Sequence, residues 1–354
     1  MLKISIVILT LVSFICGWLV RSFLIEDEIP EVLKSVVVLG QNFDKYSIEN
    51  LSKTEIEPSK LKILNVLNEE DDFIEYLFEL EFKPDPLKDE LKKTTGQINI
   101  PKIGGDLPLI VMLRGYIDQD KFITGDGTRN ASRVFADNGY ITIAPDFLGY
   151  GGSDEEAGNI FETRFQTYTT VLSLIKTIKA LPNNTSLLQV NKEILNSSQL
   201  ANQLINYSPV FIWGHSNGGH VALIILTITG ASYPTTLWAP VTKPFPYSVL
   251  YYTDQSADGG KLIRKELAKF EEGNNVESFS LTNYLDKINA PIQIQQGNID
   301  DAVPVSWSNS FVNKLKDSEK DITYHTYPNT DHNMRPSWDE VVQRDLEFFK
   351  NHLK

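Results

Sequence analysis

The sequence holds a single cysteine, Cys16, in 354 residues, so no intrachain disulfide can form and no cysteine-type zinc site can be built. It also lacks H-E-x-x-H, G-x-x-x-x-G-K-[ST] and G-x-G-x-x-G. Metalloprotease, P-loop and dinucleotide-binding readings are therefore without their signatures, and no cofactor or metal is indicated. Positive charge is in short supply: 33 lysines and arginines face 46 aspartates and glutamates, a formal net charge of −13, with no basic stripe to override it. Such a chain repels a phosphate backbone, which excludes nucleic acid as a partner. With 42% hydrophobic residues it reads as neither disordered nor fibrous, and its length suits one large globular domain with small additions.

The amino terminus is the one long apolar run. MLKISIVILTLVSFICGWLVRSFLI has no charge between Lys3 and Arg21 and stays apolar to Ile25. A helix over residues 4–25 spans about 30 Å, the thickness of a bilayer core. The Phe14-Ile15-Cys16-Gly17-Trp18 neighbourhood supplies no small-residue cleavage site. Residues 1–25 are therefore expected to be an uncleaved signal-anchor, a cleaved signal peptide and secretion being the alternative. Lys3 precedes the span and Glu26, Asp27, Glu28 and Glu31 follow it, which puts the bulk of the chain outside the cytoplasm.

Residues 26–72 are charged and without a clear period, and are expected to form a linker packing on the domain, with a short helix around 58–67. From residue 73 onward the pattern changes. Residues 73–82 alternate as a strand does, with 96–101 as their partner. Short apolar or β-branched runs then follow at 109–113, 140–144, 209–213, 235–238, 291–295 and 322–327, separated by segments of helical period such as 164–181 and 307–315. Alternation of this kind predicts an α/β fold, a mostly parallel central sheet with helices on both faces, over residues 73–354. The interval 241–288 is too long for a plain connection and carries Phe245, Tyr247, Tyr251, Tyr252, Phe279 and Tyr284. It forms either a small cap over the strand ends or a helical insertion whose rings pack inward.

The chemistry is signalled by Ile212 to Leu226, IWGHSNGGHVALIIL, where Gly214, Ser216 and Gly218 make G-x-S-x-G between an apolar strand and an apolar helix. A sharp strand-to-helix turn needs residues without a Cβ, and it leaves the serine hydroxyl exposed at the tip. Five letters arise by chance, so the motif carries weight only if an acid and a histidine follow at the carboxyl ends of later strands. Of five histidines, His215 lies within the turn, His220 on the helix behind it, His325 inside a strand-like run and His352 near the carboxyl terminus. Only His332 occupies a loop between the last strand and the last helix, which makes it the candidate base. Asp300 and Asp301 sit in the turn after the strand over 291–295, and the order Ser, Asp, His favours a triad over mere turn formers.

On these segments the chain resembles the α/β-hydrolases, most closely the catalytic domain of the prolyl oligopeptidase family of serine peptidases. Ser-Asn-Gly-Gly at 216–219, Gly297-Asn298-Ile299-Asp300-Asp301 with Val303-Pro304, and Asp331-His332 are similar to its three catalytic segments. The likeness runs from about Thr95 to the end. Residues 146–153, DFLGYGGS, resemble a structural turn of that fold. The resemblance implies Asp300 as the triad acid, three residues after Gly297, with Asp301 left to cap the following helix. It also implies an oxyanion hole from the backbone N–H groups of Tyr116 and Asn217, although Leu113-Arg114-Gly115-Tyr116 departs from the His-Gly common in relatives. The β-propeller of oligopeptide-selective members has no room in residues 26–94, since one blade takes about 40 residues. The implied activity is cleavage of a small peptide or ester through an acyl-enzyme on Ser216, His332 and Asp300. A carboxylesterase and a catalytically silent, membrane-tethered binding protein are the alternatives.

Overall fold

The computed structural model describes residues 42–195, 197–253 and 256–353. The expected anchor over residues 1–25 lies outside them, and among the described residues no helix is long and apolar enough to cross a membrane. Ten strands form one sheet: β1 Leu61–Glu69, β2 Phe73–Phe82, β3 Lys92–Pro101, β4 Leu109–Leu113, β5 Ile141–Pro145, β6 Leu188–Val190, β7 Val210–His215, β8 Thr235–Trp238, β9 Ile292–Gly297 and β10 Ile322–Tyr327. Their spatial order is β10-β9-β8-β7-β4-β5-β3-β2-β1-β6. Neighbours from β5 through β4, β7, β8 and β9 to β10 are parallel, while β3, β2 and β1 add an antiparallel flank. The helices are α1 Ile48–Lys53, α2 Arg129–Asp137, α3 Ile160–Ala180, α4 Ser197–Ile205, α5 Asn217–Thr229, α6 Tyr247–Leu250, α7 Lys261–Gly273, α8 Val305–Asp317 and α9 Trp338–Asn351.

Both faces of the parallel sheet are buried, and the pleat explains why its strands read as unbroken apolar runs. In β4, Leu109, Val111 and Leu113 point into one core, with α3, α5 and Phe311, Val312 and Leu315 of α8, while Ile110 and Met112 point into the other, with α2, α9 and Trp307 of α8. In β7, Ile212 joins the first core, and Phe211 and Trp213 the second. The predicted strands from residue 109 onward appear within two residues of their expected bounds at each end, and the predicted helices over 164–181 and 307–315 lie within α3 and α8 apart from Leu181.

The expected linker over residues 26–72 is corrected where it is described. Residues 61–69 form β1, an integral strand paired antiparallel with β2 and parallel with β6, and α1 packs Ile48 and Leu51 into the first core. The helix expected around 58–67 is absent. Leu61 and Ile63 turn inward at strand spacing, and Lys62, between them, points outward to Glu79 and Glu81 at 2.9 and 2.8 Å. Interval 241–288 divides its aromatic residues between the two readings. Phe245 and Phe279 enter the first core beside Phe161, Phe165 and Phe270, whereas Tyr247, Tyr251 and Tyr252 gather around Trp307. Because Ile63 is buried in the main core, Ile63→Ala should destabilise the protein by about 2–4 kcal/mol in denaturant unfolding. A loss below about 0.5 kcal/mol, ordinary for a surface site, would restore the linker reading.

Candidate active site

Ser216 stands between β7 and α5 with φ 55° and ψ −119°, a conformation that costs a residue with a Cβ on the order of 1–3 kcal/mol. Three backbone hydrogen bonds hold it there. Its N–H donates to the Trp238 carbonyl at 2.8 Å, and its own carbonyl accepts from Val241 at 3.1 Å and His220 at 3.2 Å. The turn forces α5 against the end of β4. A Cβ on Gly218 would collide with the Leu113 carbonyl, which is the reason the motif needs glycine there.

The acid and the histidine are brought together by β9 and β10. His332 Nδ1 lies 2.8 Å from Asp300 Oδ2, with the Asp300 side chain fully shielded and that of His332 15% exposed. The pair is therefore shut from water on the acid side and open on the imidazole side. Asp300 Oδ2 also accepts from Gln296 Nε2 at 3.0 Å, and Oδ1 accepts from the N–H groups of Ala302 and Val303 at 2.9 and 2.7 Å. Burial alone would raise the Asp300 pKa. The bond from His332 and the two backbone amides outweigh it and hold the carboxyl below the usual carboxylate range. Asp300 thus stays ionised through neutral and mildly acidic pH.

The two loops are tied to one another. A Cβ on Gly297 would strike the carbonyls of Thr330 and Asp331, so glycine sets how closely the Asp300 turn approaches the His332 loop. Asn298 N–H donates to the Tyr327 carbonyl and Ile299 N–H to that of Thr330, at 3.0 and 3.1 Å. Asp331 Oδ1 accepts from Asn333 and Arg335 N–H at 2.9 and 2.8 Å and shapes the turn that presents His332.

Asp301 is exposed, and the expected cap is not formed. Pro304, whose side chain has no acceptor, occupies the cap position of α8, and the amides of Ala302 and Val303 in the turn before it go to Asp300. Gly115 runs so close to Ser216 that a Cβ on it would sit 3.0 Å from Ser216 Cβ, which brings the Tyr116 backbone to the same corner as Asn217, the first residue of α5. The Tyr116 hydroxyl points away to Asp118 Oδ1 at 3.2 Å. Residues 146–153 are structural, as expected: buried Asp146 accepts from Thr95 and Thr124 hydroxyls at 2.7 Å each.

Two contributors escaped the sequence reading. His215 Nε2 lies 3.0 Å from the His332 carbonyl, and the two rings are 4.7 Å apart. Burial, reinforced by neighbouring His332, depresses the His215 pKa to about 4, so the ring is neutral and its Nε2–H donates to that carbonyl. Gln296 is the other, anchored through Oε1 by the Ser308 hydroxyl at 2.7 Å. A cleft lies on each side of the centre. One of about 560 Å³ is lined by Gly115, Tyr116, Asn217, Val221 and residues of α3; the other, of about 640 Å³, by Trp213, His215, Trp238, Asn333 and residues of α2. Among the described residues no cluster of His, Cys, Asp and Glu could hold a metal ion.

Residues 197–354 match the model of the prolyl oligopeptidase family. The chain is 27% identical over 148 residues to dipeptidyl peptidase family member 6 of Caenorhabditis elegans, covering 40% of this chain and 20% of that protein. This chain thus spans about a fifth of that relative's length. Among solved structures it is similar to acetyl xylan esterase 1 from a Thermoanaerobacterium species, with a TM-score of 0.55 and 16% identity over 87% of this chain and 94% of the other. A puromycin-hydrolyzing peptidase of Mycobacterium tuberculosis gives a TM-score of 0.51 and 18% identity over 78% of this chain and 37% of the other. The fold is that of the α/β-hydrolases, and the carboxyl-terminal part is similar to serine hydrolases of the prolyl oligopeptidase kind.

Because Asp300 alone faces the imidazole, Asp300→Asn should lower kcat by about 10⁴-fold on any ester or amide the protein turns over. Asp301→Asn, at an exposed side chain, should change it by less than about threefold. Steady-state kinetics of the two variants check this, and the reverse order would make Asp301 the acid.

Proposed function

We propose that the chain is a serine hydrolase of the prolyl oligopeptidase kind, cleaving small peptides through an acyl-enzyme. The observation that carries the reading is the strained Ser216 turn, tied through its neighbour His215 to the loop of an imidazole whose Nδ1 is held 2.8 Å from a shielded, ionised Asp300. In this mechanism His332 Nε2 takes the proton from Ser216 Oγ as that oxygen attacks the substrate carbonyl. Asp300 fixes the tautomer with the proton on Nδ1 and stabilises the imidazolium that forms. The N–H groups of Asn217 and Tyr116 receive the oxyanion. His332 then gives the proton to the leaving group, whose bond to the carbonyl carbon breaks, and water repeats the sequence to release the acid and free Ser216.

Carboxylester cleavage uses the same atoms. It is the second reading, since an acetyl xylan esterase is among the proteins that share the fold. A panel of peptide amides against short- and long-chain esters, run on residues 26–354, separates the two. The apolar segment 1–25 is proposed as a membrane anchor with the catalytic domain outside the cytoplasm, which is why the panel omits it.

Ser216→Ala should abolish labelling by a fluorophosphonate probe and lower kcat by about 10⁴-fold or more, with an unchanged melting temperature. Turnover that survives the substitution would overturn the hydrolase reading, and a wild-type serine that never reacts would point to a silent binding protein. Removing residues 1–25 should yield a soluble protein that retains the full rate. An inactive soluble fragment would make that segment part of the fold.

A further inference from the structure

The cleft beside Tyr116 and Asn217 contains a charge with nothing to balance it. Arg164, in the second turn of α3, lines this cleft together with Asn217 and Val221 of α5. Its Nε and Nη2 are closed off from solvent and have no hydrogen-bond partner. Among the described residues it makes no ion pair either, and the Tyr168 hydroxyl beside it offers a neutral hydrogen-bonding oxygen rather than an opposing charge. Its field reaches the nucleophile helix: the His220 pKa is held down at about 3, first by burial and then by the Arg164 charge.

A guanidinium carries five N–H donors in a planar fork matched to a carboxylate, and its burial without an acceptor is unfavourable unless something arrives to complete it. The other arginine of the cleft shows the contrast. Arg114 donates to the carbonyls of Gly115 and Asp146 at 2.9 and 2.8 Å and lies over the rings of Tyr150, Phe122 and Phe147. It is built into the wall, and Arg164 is not. Three carboxylates also line the cleft. Asp118 is paired with Lys121 at 2.6 Å, Asp120 is exposed, and Glu156 is half-buried and makes no ion pair with Arg164.

We propose that Arg164 is a specificity residue that receives a carboxylate on the acyl portion of the substrate. The inference rests on the hydrolase reading above and deepens it by naming the substrate class: an acyl group ending in a carboxylate, as in an acidic amino-acid residue or a dicarboxylic acid monoester. The cleft meets Ser216's neighbours at Asn217, so an acyl chain bound to the serine runs toward α3, and its distal carboxylate meets Arg164 where that residue lines the cleft and supplies the opposing charge it lacks.

The test compares matched pairs: a 4-methylumbelliferyl hydrogen adipate against its uncharged methyl ester, and an acetyl-glutamyl anilide against the glutaminyl one. Wild type should favour the carboxylate member of at least one pair by about 10–100-fold in kcat/KM, and which pair responds identifies the source of the carboxylate. Arg164→Met should lower that ratio by the same factor, chiefly through KM, and Arg164→Lys should restore part of it. A wild type that prefers the neutral member of both pairs, or a ratio unmoved by Arg164→Met, overturns the proposal. Calorimetry of adipate and of N-acetylglutamate on Ser216→Ala protein reads the same contact without turnover: saturable binding, lost in Ser216→Ala/Arg164→Met, is expected, and its absence for both overturns the proposal. Should no substrate be hydrolysed while binding is seen and depends on Arg164, the hydrolase reading fails, the acyl-substrate assignment falls with it, and Arg164 is left as a carboxylate-binding residue only. Melting temperatures of the variants, with Arg164→Lys retaining the charge, guard against a misfolded protein.

Discussion

The site depends on how closely the start of α5 is pressed against the end of β4. Ser216 reaches its positive φ only because its N–H and C=O are both claimed by the segment 238–241, so the strain of one residue is held by hydrogen bonds from the neighbouring strand. Gly218 has no side chain because the Leu113 carbonyl occupies the place where one would be. The same closeness brings Gly115 to the serine, so Ser216 and the amides at its corner are set by one contact. A helix buried on all sides, as α5 is from Gly218 to Ile228, has no room to relieve that contact by shifting.

The other half of the centre is built on the same plan with different parts. β9 and β10 run parallel and in register from Ile292 and Ile322 to Gly297 and Tyr327, so the loops after them emerge side by side. Gly297 then lets the loops touch, and Asp300 serves both the imidazole and the amides of its own turn. That double use explains why the carboxyl is ionised despite its shielding: Ala302, Val303 and Gln296 each donate to it in addition to the imidazole. His215, neutral in its buried place, ties the His332 loop to the serine turn through the His332 carbonyl. Histidine and acid are therefore joined side chain to side chain, and the serine turn is tied to them through its neighbour His215.

Much of this was legible before any coordinates, for physical reasons that differ by element. A strand such as Leu109–Leu113 buries both faces, so every residue is apolar and the run announces itself. The serine turn was legible because steric crowding demands glycines at fixed spacing, and His332 and the Asp300-Asp301 pair because loops after parallel strands converge, the choice of Asp300 within the pair coming from the family resemblance. β1 was not legible. Its register shifts between Ile63 and Asn65 and again between Val66 and Asn68, which breaks the alternation that marks a strand. β6, three residues long, is too short to show a period at all. The capping role given to Asp301 failed because residue spacing is silent on which of two adjacent carboxylates takes the free amides. His215 was visible only as a member of the turn, since its contact with the His332 carbonyl crosses 117 positions of chain.

Arg164 belongs to the same class of the illegible, and the way the chain treats its other buried charges gives that residue its meaning. Glu75 is met by Arg133 at 2.6 Å, Asp85 by Lys45 at 2.5 Å, and Asp146 by two threonine hydroxyls. Asp345, deepest of all, receives the indole N–H of Trp238 and the amides of Gln293 and Gln295 at 2.6, 3.0 and 2.9 Å. Even so, burial prevails over those donors and pushes its pKa up to about 7. A protein that surrounds a carboxylate with three donors beneath the sheet has the means to supply an acceptor to a guanidinium. Departures from such local consistency are expected where function sets the structure, and this one lies in the wall of a cleft that reaches the nucleophile helix. The missing acceptor is then best supplied from outside the chain.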